Sequence, residues 1–191
     1  MGCRGGPSAS VVPSERHAAT VGPREDDPWA ALAGFCDGIA APDAEERAGH
    51  RERLARALHD AGHAALIAEP GATMVHLAGV QWGRSERPFL MVLPRTGEPW
   101  WVVPAFEERT AREQLGDAVV WPWQEHESPY AIAAAGLAGA GLAAGTVAVE
   151  PQLRHFVVEG LRAVLGAGRV VDGAAVVHHD ERERAVARGA V

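Results

Sequence analysis

A hydrolytic metal centre needs histidines and carboxylates that converge on one point, and four stretches of this sequence offer such residues. His59 and His63 are four apart, but Gly62 ends the helix between them, so the shared face that two ligands require is lost. Glu125-His126-Glu127 stands just before Ser128-Pro129, where adjacent side chains diverge and acidic groups suit the positive end of a helix dipole. His178-His179-Asp180-Glu181 reads as a His-rich polar junction, at most an adventitious metal binder. Glu69 and Glu150 each follow a short strand, and carboxylates at the carboxyl ends of neighbouring strands are where α/β folds place sites. Two such groups could hold Mg²⁺ in a nuclease-like arrangement. The plainer reading is that Glu150 terminates its strand and caps a helix opening at Pro151.

Nucleophilic and phosphate chemistry find less support. Ser85 lies in a polar loop without a G-x-S-x-G elbow, and neither Cys3 nor Cys36 has a nearby histidine in a strand-helix context. Gly136, Gly139 and Gly141 lie at the wrong end of a helix to bind an anion. The polar loop Gly79-Val-Gln-Trp-Gly-Arg-Ser-Glu-Arg87 is more informative, because aromatic and arginine side chains are enriched at contact centres. Trp82, Arg84 and Arg87 form a candidate recognition surface, unless Trp82 folds back on the core. Trp100, Trp101, Trp121 and Trp123 could line a small-molecule site, though alternate tryptophans on strands usually belong to the core.

Positioning these residues falls to an alternation of strands and helices. Asp43-Ala-Glu-Glu46 has the shape of a capping box, and Leu54, Ala57, Leu58 and Ala61 share the apolar face of the helix that Gly62 ends. Ala64–Ala68 is a buried strand, and Pro70-Gly71 turns the chain into an apolar run from Met74, read as a strand ahead of the loop. Phe89–Leu93 and Trp100–Val103, joined across Pro94-Arg95-Thr96-Gly97-Glu98-Pro99, form a hairpin. A helix over Ala105–Leu115, with Glu107-Glu108 in its first turn, closes at Gly116, and Ala118–Trp121 is another strand. Ser128 caps a helix that has Pro129 at its first position. Thr146–Val149 is a strand, and a helix from Pro151 places Leu153, Phe156, Val157, Leu161 and Val164 on one face before Gly166. Arg169–Val177 holds the last strand, interrupted at Asp172-Gly173. The alternation implies an α/β domain whose central hairpin makes the sheet mixed, with helices on both faces.

The chain of 191 residues accommodates one ordinary domain, and a second full domain does not fit. Its net charge of −7, from 18 basic and 25 acidic residues, argues against a nucleic-acid surface. With only two cysteines, a disulfide framework is implausible and a reducing cytoplasm is the expected setting. Residues 1–28 are rich in Gly, Pro, Ser and charge, lack the apolar core of a signal peptide, and read as a disordered tail. Trp29–Ala41 is expected to form a short helix. The uncharged run Ala131–Val149 is broken by Gly139, Gly141 and Gly145 and is expected to be helix, turn and strand rather than a membrane span.

The order of HLAG at 76–79, ERPFLMVLP at 86–94 and GEPWWVVPAFEE at 97–108 resembles the N-terminal domain of the creatinase, prolidase and Xaa-Pro aminopeptidase family. The resemblance spans about Glu46 to Arg188. It implies a three-layer α/β fold, ribonuclease-H-like, with a mixed β-sheet and helices on both faces. The domain would cover residues 29–178, and 179–191, with Asp180–Arg188, would begin the linker helix toward a separate pita-bread catalytic domain. In the family that domain holds two divalent metal ions with Asp, Asp, His, Glu and Glu. By this resemblance the present chain carries no catalytic residue, metal ligand or cofactor. It would act by packing against a catalytic domain or a second copy, meeting peptide substrate only through that partner. The family's loop after this apolar run can reach the partner subunit's active-site mouth, which transfers to Trp82, Arg84 and Arg87.

Overall fold

The computed structural model describes residue 34 and residues 41–178. The tail over 1–28, both cysteines, the segment 179–191 and nearly all of the helix expected over Trp29–Ala41 lie outside the described residues. Helix α1 (Ala44–Asp60) starts at the capping box read from the sequence. The Asp43 carboxylate accepts the Glu46 N–H at 2.9 Å, and the Glu46 carboxylate accepts the Asp43 N–H at 3.2 Å. Leu54 and Leu58 face inward, and Gly62, at φ +73°, turns the chain into β1 (His63–Ala68).

The apolar run at Met74 is a helix, α2 (Ala72–Ala78), not a strand. Met74 and Leu77, three apart, are its buried residues, and Gly79 closes it in the left-handed conformation at φ +73°. A run this short has no periodicity that separates strand from helix, and burial of one face decided it. The hairpin is present as β2 (Leu90–Pro94) and β3 (Trp100–Pro104), antiparallel with Leu90 opposite Val102 and Val92 opposite Trp100. A 3₁₀ turn (Ala105–Glu107) leads into α3 (Glu108–Leu115), so Glu107 lies ahead of that helix and Glu108 in its first turn.

Next, β4 (Val119–Trp123) pairs parallel to β3. Helix α4 (Pro129–Gly139) begins where the Ser128 hydroxyl accepts the Ala131 N–H at 3.2 Å. Strand β5 (Thr146–Val149) pairs parallel to β1. Helix α5 (His155–Leu165) starts four residues later than its proline suggested. Val157 and Leu161 are buried in it, whereas Phe156 and Val164 are 44 % and 43 % exposed, so they do not share the inner face. The last strand, β6 (Val170–Asp172), ends early. The Asp172 carboxylate accepts the Ala174 N–H at 2.9 Å, and 174–178 is helical, burying Val176.

The sheet order is β4-β3-β2-β1-β5-β6, and β2 runs against the other strands. Helices α1, α2 and α3 pack one face with Leu66, Met91, Trp101 and Val103, and α4 and α5 pack the other with Ile67, Val92, Trp100 and Val147. The tryptophans thus alternate into the two cores. Trp101 meets Phe89 edge-on at 6.0 Å and Trp100 meets Trp121 at 5.5 Å. Trp123 donates its indole N–H to the Pro88 carbonyl at 3.1 Å.

Candidate functional site

Parallel pairing of β1 with β5 sets Ile67 opposite Val149, so the residues that end these strands, Glu69 and Glu150, come together at the carboxyl edge of the sheet. Glu69 is 0 % exposed and Glu150 is 2 % exposed. Their positions agree with the sequence reading; their surroundings were not legible there. Arg154 closes on Glu69: its Nε lies 3.1 Å from both carboxylate oxygens, its Nη2 bonds Oε1, and its backbone N–H donates to Oε2 at 3.1 Å. Because Arg154 directly precedes α5, it is Glu69 from another strand, not Glu150, that receives an N–H at the start of this helix. The third guanidinium nitrogen, Nη1, donates to the Ser85 carbonyl, tying the cluster to the 79–88 loop.

Glu150 is less well matched. Its Oε1 faces Arg84 at 3.9 Å, and its Oε2 makes no hydrogen bond. Burial pushes its carboxyl up from 4.5 to about 7, helped by the neighbouring Glu69 charge and opposed by Arg84 and the Thr73 hydroxyl. Burial likewise raises the Tyr130 phenol, with the Glu69 charge adding to it. The hydrogen bond to Glu69 raises the Arg154 guanidinium further. With a guanidinium on each carboxylate, the pair does not fit a cation site. Among the described residues no group of three His, Cys, Asp or Glu could hold a metal ion.

The loop residues are held individually. Trp82 is half-buried, stacked on Phe89 at 4.6 Å, and donates its indole N–H to Glu107 at 3.2 Å. Arg84 donates to the Pro70 carbonyl at 2.7 Å. Arg87 donates to Glu125 at 2.6 Å, pairs with Glu86, and lies 5.1 Å over the Phe106 ring. Trp82 therefore folds back, while Phe106 stands 65 % exposed beside Arg87. On the same edge Arg154 lies 4.6 Å over the half-exposed Phe156.

The other candidates do not converge. His59 meets Asp60 at 3.4 Å at the end of α1, whereas His63 bonds the Thr146 hydroxyl at 2.8 Å. Glu125 serves Arg87, and Glu127 accepts the Gln124 N–H at 2.7 Å. The Ser85 hydroxyl accepts the Arg87 N–H at 3.2 Å within its own turn. His178 is exposed, and His179, Asp180 and Glu181 lie outside the described residues. Sequence reading missed Arg154, whose signal would have been a lone basic residue just past the acidic end of a buried strand.

A mixed sheet whose second strand alone is reversed, with helices on both faces and polar residues gathered at its carboxyl edge, defines an α/β domain of the creatinase and prolidase N-terminal type. The sequence model of that family, described as the creatinase/prolidase N-terminal domain, matches residues 50–180, and the chain belongs to this family. An uncharacterized peptidase of Schizosaccharomyces pombe is 33 % identical over 133 residues, covering 62 % of this chain and 28 % of the relative. A probable dipeptidase PepE of Mycobacterium bovis is 34 % identical over 115 residues, covering 58 % of this chain and 30 % of the relative. The chain thus spans less than a third of the curated relatives it matches. The crystal structure of dipeptidase PepE from Mycobacterium ulcerans superposes with TM-score 0.65 at 26 % identity, over 73 % of this chain and 38 % of that one. The N-terminal domain of an Xaa-Pro dipeptidase from Lactobacillus brevis shares the fold, with TM-score 0.58 at 22 % identity, over 68 % of this chain and 98 % of that one.

Proposed function

We propose that this domain contains no hydrolytic centre and serves a pita-bread metallopeptidase of the Xaa-Pro dipeptidase type as its packing and access-limiting module. The observation that carries the reading is the carboxyl edge of the sheet. There the 79–88 loop is tied at Trp82, Arg84, Ser85 and Arg87, while Phe106 and Phe156 stand outward beside arginines. Apolar rings flanked by guanidinium groups are the composition of a contact centre. The loop narrows the approach to the partner's cleft and so limits substrate length. The partner is a catalytic domain or a second copy of the chain, and the working compartment is the cytoplasm. The paired arginines on Glu69 and Glu150 leave no support for a metal-dependent hydrolase at those carboxylates.

Two measurements test this. The purified chain, supplied with Mn²⁺ or Co²⁺, is expected to hydrolyse Xaa-Pro dipeptides no faster than buffer; chelator-sensitive turnover would refute the reading. In sedimentation with the catalytic domain of a PepE-type dipeptidase, a complex is expected, weakened at least tenfold by F106S with F156S.

A further inference from the structure

A surface helix ordinarily turns charged side chains to water, and α4 has none to turn. Residues 129–149 include no Asp, Glu, Lys, Arg or His. The helix buries Ala133, Gly136 and Leu137 on its inner side, and its outer side exposes Ala131, Ala135 and Ala138. Beside it, α5 buries Val157 and Leu161 and exposes Phe156, Ala163 and Val164. The two helices join where the Tyr130 ring lies on Gly160, so close that a Cβ there would meet it at 2.2 Å. Phe156 and Val164 stand about one helical turn to either side of Gly160. Phe156, the half-buried Tyr130 ring and Val164 therefore form an apolar ridge bordering the alanine face of α4. We propose that a second copy of this chain covers this face, the two copies related by a two-fold axis that crosses α5 near Gly160 and sets the paired helices antiparallel.

Three observations select that occupant. An exposed apolar patch of this kind marks an interaction surface, and the lack of charge along α4 means that covering it strands no ion away from water. The larger side chains of α5 are arranged symmetrically along it. Phe156 and Val164 are equally far from Gly160, and Glu159 and Arg162, paired at 2.8 Å and half-exposed, bracket almost the same point on the flank away from α4. Reversing the helix about that point sets Phe156 of one copy against Val164 of the other, and Glu159 of one against Arg162 of the other. The surface thus complements itself in shape and in charge, which an isologous contact requires.

Size is the third observation. Each helix has 11 residues and is about 16 Å long, and two helices side by side, about 10 Å apart, give a face at the small end of specific interfaces. The alanines of α4 let the paired backbones approach closely, but the area limits the strength, so the dimer forms as concentration rises. Phe156 stands at the corner where this face meets the carboxyl edge of the sheet. The proposal does not rest on what covers that edge.

Sedimentation equilibrium of the purified chain tests it. Self-association ending at a dimer is expected by about 0.5 mM. Val164→Glu and Ala135→Glu each bring a carboxylate into the contact twice and should weaken the dimer at least tenfold. F106S, outside this face, should leave it unchanged. Glu159→Arg and Arg162→Glu should each weaken it about threefold, and an equimolar mixture of the two should recover the affinity of the parent, because opposite charges again meet across the axis. Far-UV circular dichroism shows whether the variants are folded, and either folded glutamate variant suffices. The proposal fails if the parent stays monomeric, if a folded glutamate variant dimerises as the parent does, or if the mixture associates no better than its components. It fails also if F106S disrupts the dimer, which would put the second copy on the carboxyl edge. A monomeric parent that loses its complex with a PepE-type catalytic domain on Val164→Glu would assign the face to that domain instead.

Discussion

Glu69 and Glu150 have the same side chain and neighbouring positions, yet their partners differ. Arg154 offers Glu69 two guanidinium nitrogens and a backbone N–H, whereas Glu150 has one arginine at 3.9 Å and an oxygen with no hydrogen bond. A carboxyl raised from 4.5 to about 7 by folding holds its proton more tightly in the folded chain than in the unfolded one. Stability therefore falls as pH rises through that window, by up to about 3 kcal/mol for this group. Glu150→Gln should match the parent near pH 5 and exceed it by about 1–3 kcal/mol at pH 8 in urea titrations. A difference that stays constant between the two pH values would contradict this. Arg154→Met should cost about 3–5 kcal/mol, because it strands the Glu69 charge in the interior. Adding Glu69→Gln should recover most of that loss in the same titration, which a mere packing defect would not allow.

At the scale of elements, close approach is carried by glycines. A Cβ on Gly136 in α4 would lie 2.3 Å from the Trp100 ring, whereas one on Gly139 meets nothing within 4 Å. Gly→Ala within a helix ordinarily stabilises by up to about 1 kcal/mol. Gly139→Ala should follow that rule, while Gly136→Ala should cost about 1–3 kcal/mol by forcing the indole aside. Thermal melts of the two variants should move in opposite directions. The capping box at Asp43, the Ser128-Pro129 start and the hairpin were legible because each depends on residues adjacent in sequence. Helix α2 was not, since seven residues give too few turns for an apolar stripe to stand out. The outward positions of Phe156 and Val164 escaped for a related reason. Both are apolar, and only the packing of α5 on the sheet through Val157 and Leu161 decides which members of its apolar stripe are covered.

For the molecule as a whole, five parallel strands and one reversed strand bring the ends of β1 and β5 together, and the 79–88 loop returns across them before β2. This convergence joins residues 85 positions apart, such as Glu69 and Arg154, into one buried cluster. It also places the exposed rings of Phe106 and Phe156 on the edge that the proposed partner would cover.

The sequence by itself determined the α/β class, the mixed sheet, the starts of α1 and α4 and the placing of two glutamates at strand ends, because these follow from local spacing and capping. The tertiary structure decided which groups answer those glutamates. Arg84 and Arg154 are distant in the chain, and only the strand order and the path of the loop bring a guanidinium to each carboxylate. Burial then separates the two acids, since a charge removed from water is governed by the partners that reach it.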